Sequence, residues 1–315
     1  MDHWTLSTAA PAVRRPESPP GSEVEVTGWG DRLRAYFALT KPRIIELLLI
    51  TTVPAMVVAE RGLPPLSLVF FTLVGGALAA GGANAINCFV DRDIDEVMTR
   101  TSRRPLPAHH IAPWKALVFG VSLGAFSFAL LGATVNLLAA SLALAALLFY
   151  VVVYTIALKR TTPQNIVIGG AAGAVPALVG WAAVTGSVDL PAVVLFGIVF
   201  YWTPPHFWAL AMRYESDYAA AGVPMMPVVY GREETAKHIL LYALLLFATT
   251  LAFFSVARMG WLYLAAALVL GLLFVARAVS LRRNPTVPAA WGLFRYSIHY
   301  LALLFAAMAA DQLLL

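Results

Sequence analysis

The sequence predicts an all-α, polytopic membrane protein with nine transmembrane helices, and three observations carry that prediction. The chain of 315 residues is 60% hydrophobic and only 12% charged, a balance that a soluble domain of this length does not have. Its apolar residues arrive in nine runs, each close to the roughly 20 residues that cross a bilayer core as a helix. With the amino terminus placed in the cytoplasm, the segments on that side hold every Lys and Arg except Arg61 and Arg258. So lopsided a distribution sets the amino terminus inside and the carboxyl terminus outside.

Residues 1–35 contain no apolar run. Pro11, Pro16, Pro19, Pro20 and Gly21 stand among charges of both signs, which predicts a disordered cytoplasmic tail. No hydrophobic stretch follows its basic residues, as a cleavable signal peptide requires. Residues 36–315 form the membrane domain, with spans predicted at 43–60, 65–90, 115–134, 137–157, 163–184, 191–212, 238–257, 260–280 and 295–313. The second is the longest and ends at a row of acids. Spans three and four, and again seven and eight, are joined by outer connections of a few residues. Gly75, Gly76, Gly81 and Gly82 in the second span, and Gly169, Gly170, Gly173 and Gly180 in the fifth, are read as places where helices approach closely. The inner connections at 91–114 and 213–237 are long enough to fold over a site, so chemistry is predicted on the cytoplasmic face. Spans two and six both deliver their carboxyl ends there, and the negative pole of each helix favours a bound cation.

The densest chemistry lies where span two ends. Asn87, Asp91 and Asp95 recur every fourth residue, so they share one helix face. Carboxylates that close repel one another unless a cation lies between them, and hard oxygen donors suit Mg²⁺. Arg92, Arg100, Arg103 and Arg104 follow within the same loop. Metal-binding oxygens beside guanidinium groups make a pairing suited to a metal-bridged diphosphate. A second acidic cluster follows span six, Arg213-Tyr214-Glu215-Ser216-Asp217, on the same side of the membrane. Asp217 is its candidate metal ligand, the alternative being an ordinary loop charge.

His206 follows Pro204 and Pro205 within span six. An imidazole at membrane depth needs a partner, either a ligand or a carbonyl that the prolines free. His299 is a weaker candidate, while His109 and His110 belong to solvated loop. Cys88 is the one cysteine, which rules out an intramolecular disulfide and any cysteine-rich metal site. The net charge of +5 follows from topology and predicts no nucleic-acid partner. No P-loop, zinc spacing or serine triad appears.

Asn87, Asp91 and Asp95 match the NxxxDxxxD motif, and with three further blocks the chain resembles the UbiA superfamily of intramembrane prenyltransferases, in particular its branch that farnesylates protoheme IX. The blocks are DRDIDEVMTRTSRRPLP from Asp91, TPQNIVIGGAAGAVPALVGW from Thr162, and TPPHFWALAMRYESDYAAAGVPMMPVV from Thr203. The similarity runs from about Thr40 to the end of span nine. It implies a bundle around a central cavity and transfer of a farnesyl group from farnesyl diphosphate to a vinyl group of heme B, with addition of water, giving heme O. Mg²⁺ would be held by Asp91, Asp95, Asn87 and Asp217. The arginines, Arg213 among them, with Lys159 and Arg160, would bind diphosphate, and Tyr150 and Tyr154 would face the allylic cation. Tyrosine belts and lysine snorkelling at the membrane interface are the plainer reading of Tyr150, Tyr154 and Lys159. If the acceptor is heme, His206 is the first contact to test.

One departure stands out: Arg213 and Ala221 flank Asp217 at four residues on either side, where many superfamily members carry a second DxxxD. The diphosphate chemistry alone leaves a quinone precursor or a chlorophyll-like acceptor open, and intramembrane acids also suit a transporter. With no mitochondrial presequence apparent, the expected location is a bacterial inner membrane, with heme A synthase or terminal-oxidase assembly proteins as candidate partners.

Overall fold

The computed structural model describes residues 28–314, with the backbone alone over 43–49. Every regular element among them is helical: α1 (Trp29–Leu39), α2 (Pro42–Glu60), α3 (Leu66–Val90), α4 (Arg92–Val97), α5 (Pro113–Thr134), α6 (Leu137–Leu148), which continues as a π-helix over Phe149–Leu158, α7 (Asn165–Thr185), α8 (Leu190–Arg213), α9 (Glu215–Ala220), α10 (Met226–Val256), α11 (Trp261–Arg283) and α12 (Val287–Leu314). The nine apolar runs fall on α2, α3, α5, α6, α7, α8, α10, α11 and α12. Eight of these are long and apolar enough to cross a membrane; the exception is α2, whose apolar portion among the described residues is Ile50–Glu60. The helix itself has 19 residues, a rise of roughly 28 Å.

Several boundaries move, for one reason: apolar runs mark the lipid-facing part of a helix and miss its polar extension. α10 begins at Met226 rather than 238, bends at Gly231 (φ 75°, ψ 174°) and is pinned there by the Arg232–Glu215 ion pair at 2.7 Å. α12 begins at Val287 rather than 295. In the stretch read as a disordered tail, residues 29–35 belong to α1, which buries Ala35 and Leu39 against Ala85 and Cys88 of α3; residues 1–27 lie outside the described residues.

Neighbours in sequence pack as neighbours in space. α3 packs on α5, α5 on α6, α6 on α7, α7 on α8, α8 on α10, α10 on α11 and α11 on α12, while α2 touches α12, α7 and α3 and closes the ring. Lipid offers no hydrophobic penalty to drive such contacts, so close backbone approach must supply the packing. At the α3–α5 crossing a Cβ on Gly82 would lie 2.6 Å from the Gly120 carbonyl, and at the α2–α7 crossing a Cβ on Gly180 would lie 2.6 Å from the Thr52 carbonyl. Gly76 and Gly173 differ from that expectation: an added Cβ meets nothing within 4 Å, because both line a central cavity. At the far end, buried Asp311 of α12 accepts hydrogen bonds from the backbone N–H groups of Gly260 (2.6 Å) and Tyr263 (3.0 Å). It thereby caps α11 with a negative charge at its positive pole.

Candidate functional site

The helix formally breaks at Asp91, which closes α3 and opens α4. The i→i−4 hydrogen bonds nevertheless run through the break, Asp91 N–H to the Asn87 carbonyl and Asp95 N–H to the Asp91 carbonyl, both 2.9 Å. That continuity keeps Asn87, Asp91 and Asp95 on one face. All three are buried. Asn87 donates from Nδ2 to Asp91 Oδ2 (2.6 Å) and to Thr155 Oγ1 (3.1 Å). Lys159 Nζ pairs with the same Asp91 oxygen, and Arg104 Nη1 bridges both oxygens of Asp95 at 2.9 and 2.6 Å. Burial would lower the Arg104 guanidinium, but Asp95 beside it more than offsets this and holds it above its ordinary value.

Asp91 Oδ1 is buried without a hydrogen-bond partner, the Arg160 guanidinium standing 3.7 Å away. A native protein rarely leaves a buried carboxylate oxygen so exposed to a desolvation penalty, and a hard cation satisfies it. The donors at hand, two carboxylates and an amide, fit Mg²⁺. Among the described residues no three His, Cys, Asp or Glu side chains gather at one point, so oxygens of a bound diphosphate would complete the shell.

A π-helix arranges the basic side. It runs over Phe149–Leu158, with the Lys159 N–H closing onto the Tyr154 carbonyl at 2.8 Å. Wider turns of this kind recur at functional sites because they re-aim side chains. Here they bring Tyr150, Tyr154 and Lys159 to one cavity, with the two tyrosine rings 5.3 Å apart. The cavity, about 300 Å³, has a charged mouth of Lys41, Asp95, Arg100, Arg104 and Lys159, and an interior of small and apolar residues such as Ala79, Ala83, Leu147, Val179 and Gly76. Small residues on α3 and α7 leave the space, and the large side chains of Trp202 and Phe207 wall it.

Sequence reasoning missed Lys41. Its Nζ donates to Asn87 Oδ1 at 2.7 Å, from a left-handed backbone conformation at the start of α2 (φ 53°). Burial pulls its pKa down to about 8. The one sequence signal is a lysine immediately before a span-opening proline, a placement that topology also explains.

The remaining arginines divide. Arg100 lines the cavity and stands over the Tyr214 ring at 5.5 Å. Arg160 forms a two-pronged pair with Asp93, both contacts 2.7 Å, and this hydrogen bonding holds the Asp93 carboxyl below the usual range. Arg103 is exposed, Arg92 bonds the Phe89 carbonyl at 2.7 Å, and Arg213 stacks on Trp291 at 4.1 Å. Asp217 does bring the second loop to the first: it accepts from Thr99 Oγ1 (3.2 Å) and from the Arg100 N–H (3.4 Å), and its neighbour Tyr218 reaches the cavity.

His206 is buried, stacked on Trp202 at a 4.3 Å ring separation, with Nδ1 2.6 Å from Ser297 Oγ. A hydroxyl of α12, rather than a proline-freed carbonyl, is its partner. Its neighbours Trp202, Thr203 and Phe207 line the cavity while His206 does not. His299 bonds the Arg295 carbonyl within its own helix, and His109 and His110 are exposed.

A mouth of acids and cations over a largely apolar cavity inside a helical ring is an arrangement suited to an intramembrane transferase. A model of the UbiA prenyltransferase family matches residues 48–304, and the chain belongs to that family. Among similar proteins are the protoheme IX farnesyltransferase of a Roseiflexus species, 53% identical over 89% of this chain and 52% of the relative, protoheme IX farnesyltransferase 1 of Saccharopolyspora erythraea, 53% identical over 97% of each, and the Gloeobacter violaceus protoheme IX farnesyltransferase, 55% identical over 90% of this chain and 93% of the relative. The chain thus spans about half the length of the Roseiflexus relative and nearly all of the other two. A digeranylgeranylglyceryl phosphate synthase shares the fold with TM-score 0.76 at 18% identity, over 90% of this chain and 100% of that one. A UbiA homologue from Archaeoglobus fulgidus bound to DMAPP and Mg²⁺ does so with TM-score 0.57 at 18% identity, over 87% and 98%.

Proposed function

We propose that the protein transfers a farnesyl group from farnesyl diphosphate to a vinyl group of heme B, with water adding to give the hydroxyethylfarnesyl side chain of heme O. The observation that carries the transfer is the cavity: acids and cations crowd its mouth, and small and apolar residues make up most of its interior. Similarity to protoheme IX farnesyltransferases, over nearly the whole length of the Saccharopolyspora relative, supports the choice of acceptor.

Lys41, Arg100, Arg104 and Lys159 meet the diphosphate as it enters and neutralise it as it leaves. Stabilising a charge that grows in the transition state is the dominant electrostatic contribution in such sites, worth several kcal/mol. Asn87, Asp91 and Asp95 would hold Mg²⁺, with Asp217 holding the two loops together or reaching the metal shell. When bound, that cation supplies Lewis-acid charge to the departing oxygens. Tyr150 and Tyr154 present ring faces to the allylic carbon as positive charge develops there. Trp202, Thr203 and Phe207 line the cavity for the acceptor, with His206 bonded to Ser297 in support. The vinyl π electrons form the new C–C bond, and water supplies the hydroxyl while its second proton leaves.

The distribution of Lys and Arg supports an amino terminus in the cytoplasm and a carboxyl terminus outside a bacterial inner membrane, with residues 1–35 as a cytoplasmic tail that becomes helical from Trp29. Heme A synthase or terminal-oxidase assembly proteins fit as recipients of the product. The test is direct: membranes containing the protein, given heme B and farnesyl diphosphate, should yield heme O. Prenylation of 4-hydroxybenzoate with no heme O formed would overturn the assignment.

A further inference from the structure

The end of the bundle opposite the acidic row holds a second cavity, about 400 Å³, between the carboxyl ends of α2 and α10 and the turn from α7 to α8. Arg61 and Arg258 both line it, although 197 positions separate them in the chain. These are the two basic residues that the orientation leaves on this side. Each adopts a left-handed backbone conformation, φ 55° and 54°, just past the end of a helix. That position normally goes to glycine, because a Cβ is strained there. Both are exposed, and among the described residues neither makes an ion pair or a side-chain hydrogen bond.

The same cavity contains a carboxylate, Asp189, which could have neutralised them and does not. Its Oδ2 is instead held by Trp181 Nε1 at 3.3 Å and Ser187 Oγ at 2.8 Å, leaving it also without a cation. Two free guanidinium groups call for a phosphate, and an uncompensated carboxylate beside them calls for a cation in the same ligand. Strained backbone kept at two separate helix ends, with both side chains facing one cavity, points to a binding role rather than to chance. At a membrane boundary, a molecule carrying a phosphate, a primary ammonium and acyl chains is an ethanolamine phospholipid. The apolar side chains of Val58 and Val256, which also line the cavity, receive the chains where they leave the headgroup.

We propose that this cavity is a headgroup site for one ethanolamine phospholipid, its phosphate on Arg61 and Arg258 and its ammonium on Asp189. The site is separate from the proposed farnesyl transfer and stands whether or not that reading holds.

The test uses the full chain in nanodiscs of choline phospholipid, alone or doped with an ethanolamine or a glycerol phospholipid. The unfolding midpoint is measured alongside native mass spectrometry of retained lipid. The expected result is an upward shift and one retained molecule with ethanolamine lipid alone. Arg61→Gln/Arg258→Gln should lose both, and Asp189→Asn should make the glycerol lipid as effective as the ethanolamine one. Equal response to all three lipids in the wild type overturns the proposal. So does an equal response to ethanolamine and glycerol lipids, since Asp189 then selects nothing. Phosphoethanolamine added without the lipid should give no shift, and an equal shift would overturn the lipid as the source. The heme O assay should be unchanged in these variants, whose residues lie outside the proposed catalytic machinery.

Discussion

Replacing Arg104 by Gln separates the structural use of a charge from its catalytic use. Asp95 is 2% exposed, and Arg104, 26% exposed, is its hydrogen-bonded counter-charge, touching both oxygens at 2.9 and 2.6 Å. Breaking a buried pair from one side costs about 3–5 kcal/mol, because the remaining charge stays buried and uncompensated. Two features put this site at the lower end, about 3 kcal/mol: the guanidinium is partly solvated, and Lys41 stands near enough to feel the Asp95 charge. In a chain of this size that corresponds to a fall of roughly 5–10 °C in Tm, measured by thermal unfolding in detergent or nanodiscs. Turnover in the heme O assay should fall by about 10²–10³, the usual effect of removing one preorganised stabiliser of transition-state charge. The companion Asp95→Asn/Arg104→Gln removes both charges of the pair, so it should regain most of the lost Tm and none of the activity. A single variant with wild-type Tm, or a double variant that regains turnover, would refute the reasoning.

Asp91→Ala should abolish turnover while farnesyl diphosphate still binds, as measured by equilibrium binding to the purified protein; unaltered product formation would remove the metal-site assignment. Exhaustive chelation should likewise stop heme O formation, and Mg²⁺ should restore it. Because burial lowers Lys41 to about 8, its charge is present below that pH and lost above it. The kcat/KM for farnesyl diphosphate, which reports the free enzyme, should therefore decline through about pH 8, and Lys41→Arg should remove that decline by keeping its charge. Gly76→Leu or Gly173→Leu places a side chain in the central cavity, where a Cβ meets nothing within 4 Å. Turnover should drop with Tm nearly unchanged, whereas Gly82→Leu, blocked by the Gly120 carbonyl at 2.6 Å, should lower Tm by overpacking the α3–α5 crossing.

The fold and the acidic row of the candidate site were legible in the sequence. Membrane helices announce themselves because each must satisfy its own backbone within a run of apolar residues, and α3, α5, α7 and α8 appear within a few residues of their predicted bounds. Asn87, Asp91 and Asp95 were legible for a similar reason. Their common face depends only on a four-residue spacing, which the local hydrogen bonds preserve through the formal break at Asp91.

Other features depended on contacts between segments far apart in the chain. Lys41 reaches Asn87 across 46 positions, Lys159 reaches Asp91 across 68, and His206 meets Ser297 across 91; no local pattern marks any of them. The π-helix over Phe149–Leu158 has the same apolar composition as an ordinary helix and is recognised only by its hydrogen bonds. Gly76 and Gly75 are adjacent and chemically identical, yet one opens the cavity while the other faces Leu131.

What the sequence alone determined was that the chain is a helical, multi-pass membrane protein and where oxygen donors gather at one helix end, because these follow from solvation and helical periodicity within single segments. The tertiary structure decided which cations neutralise those donors, which small residues leave space, and where that space opens. Such properties arise only when side chains from separate helices compete for the same volume.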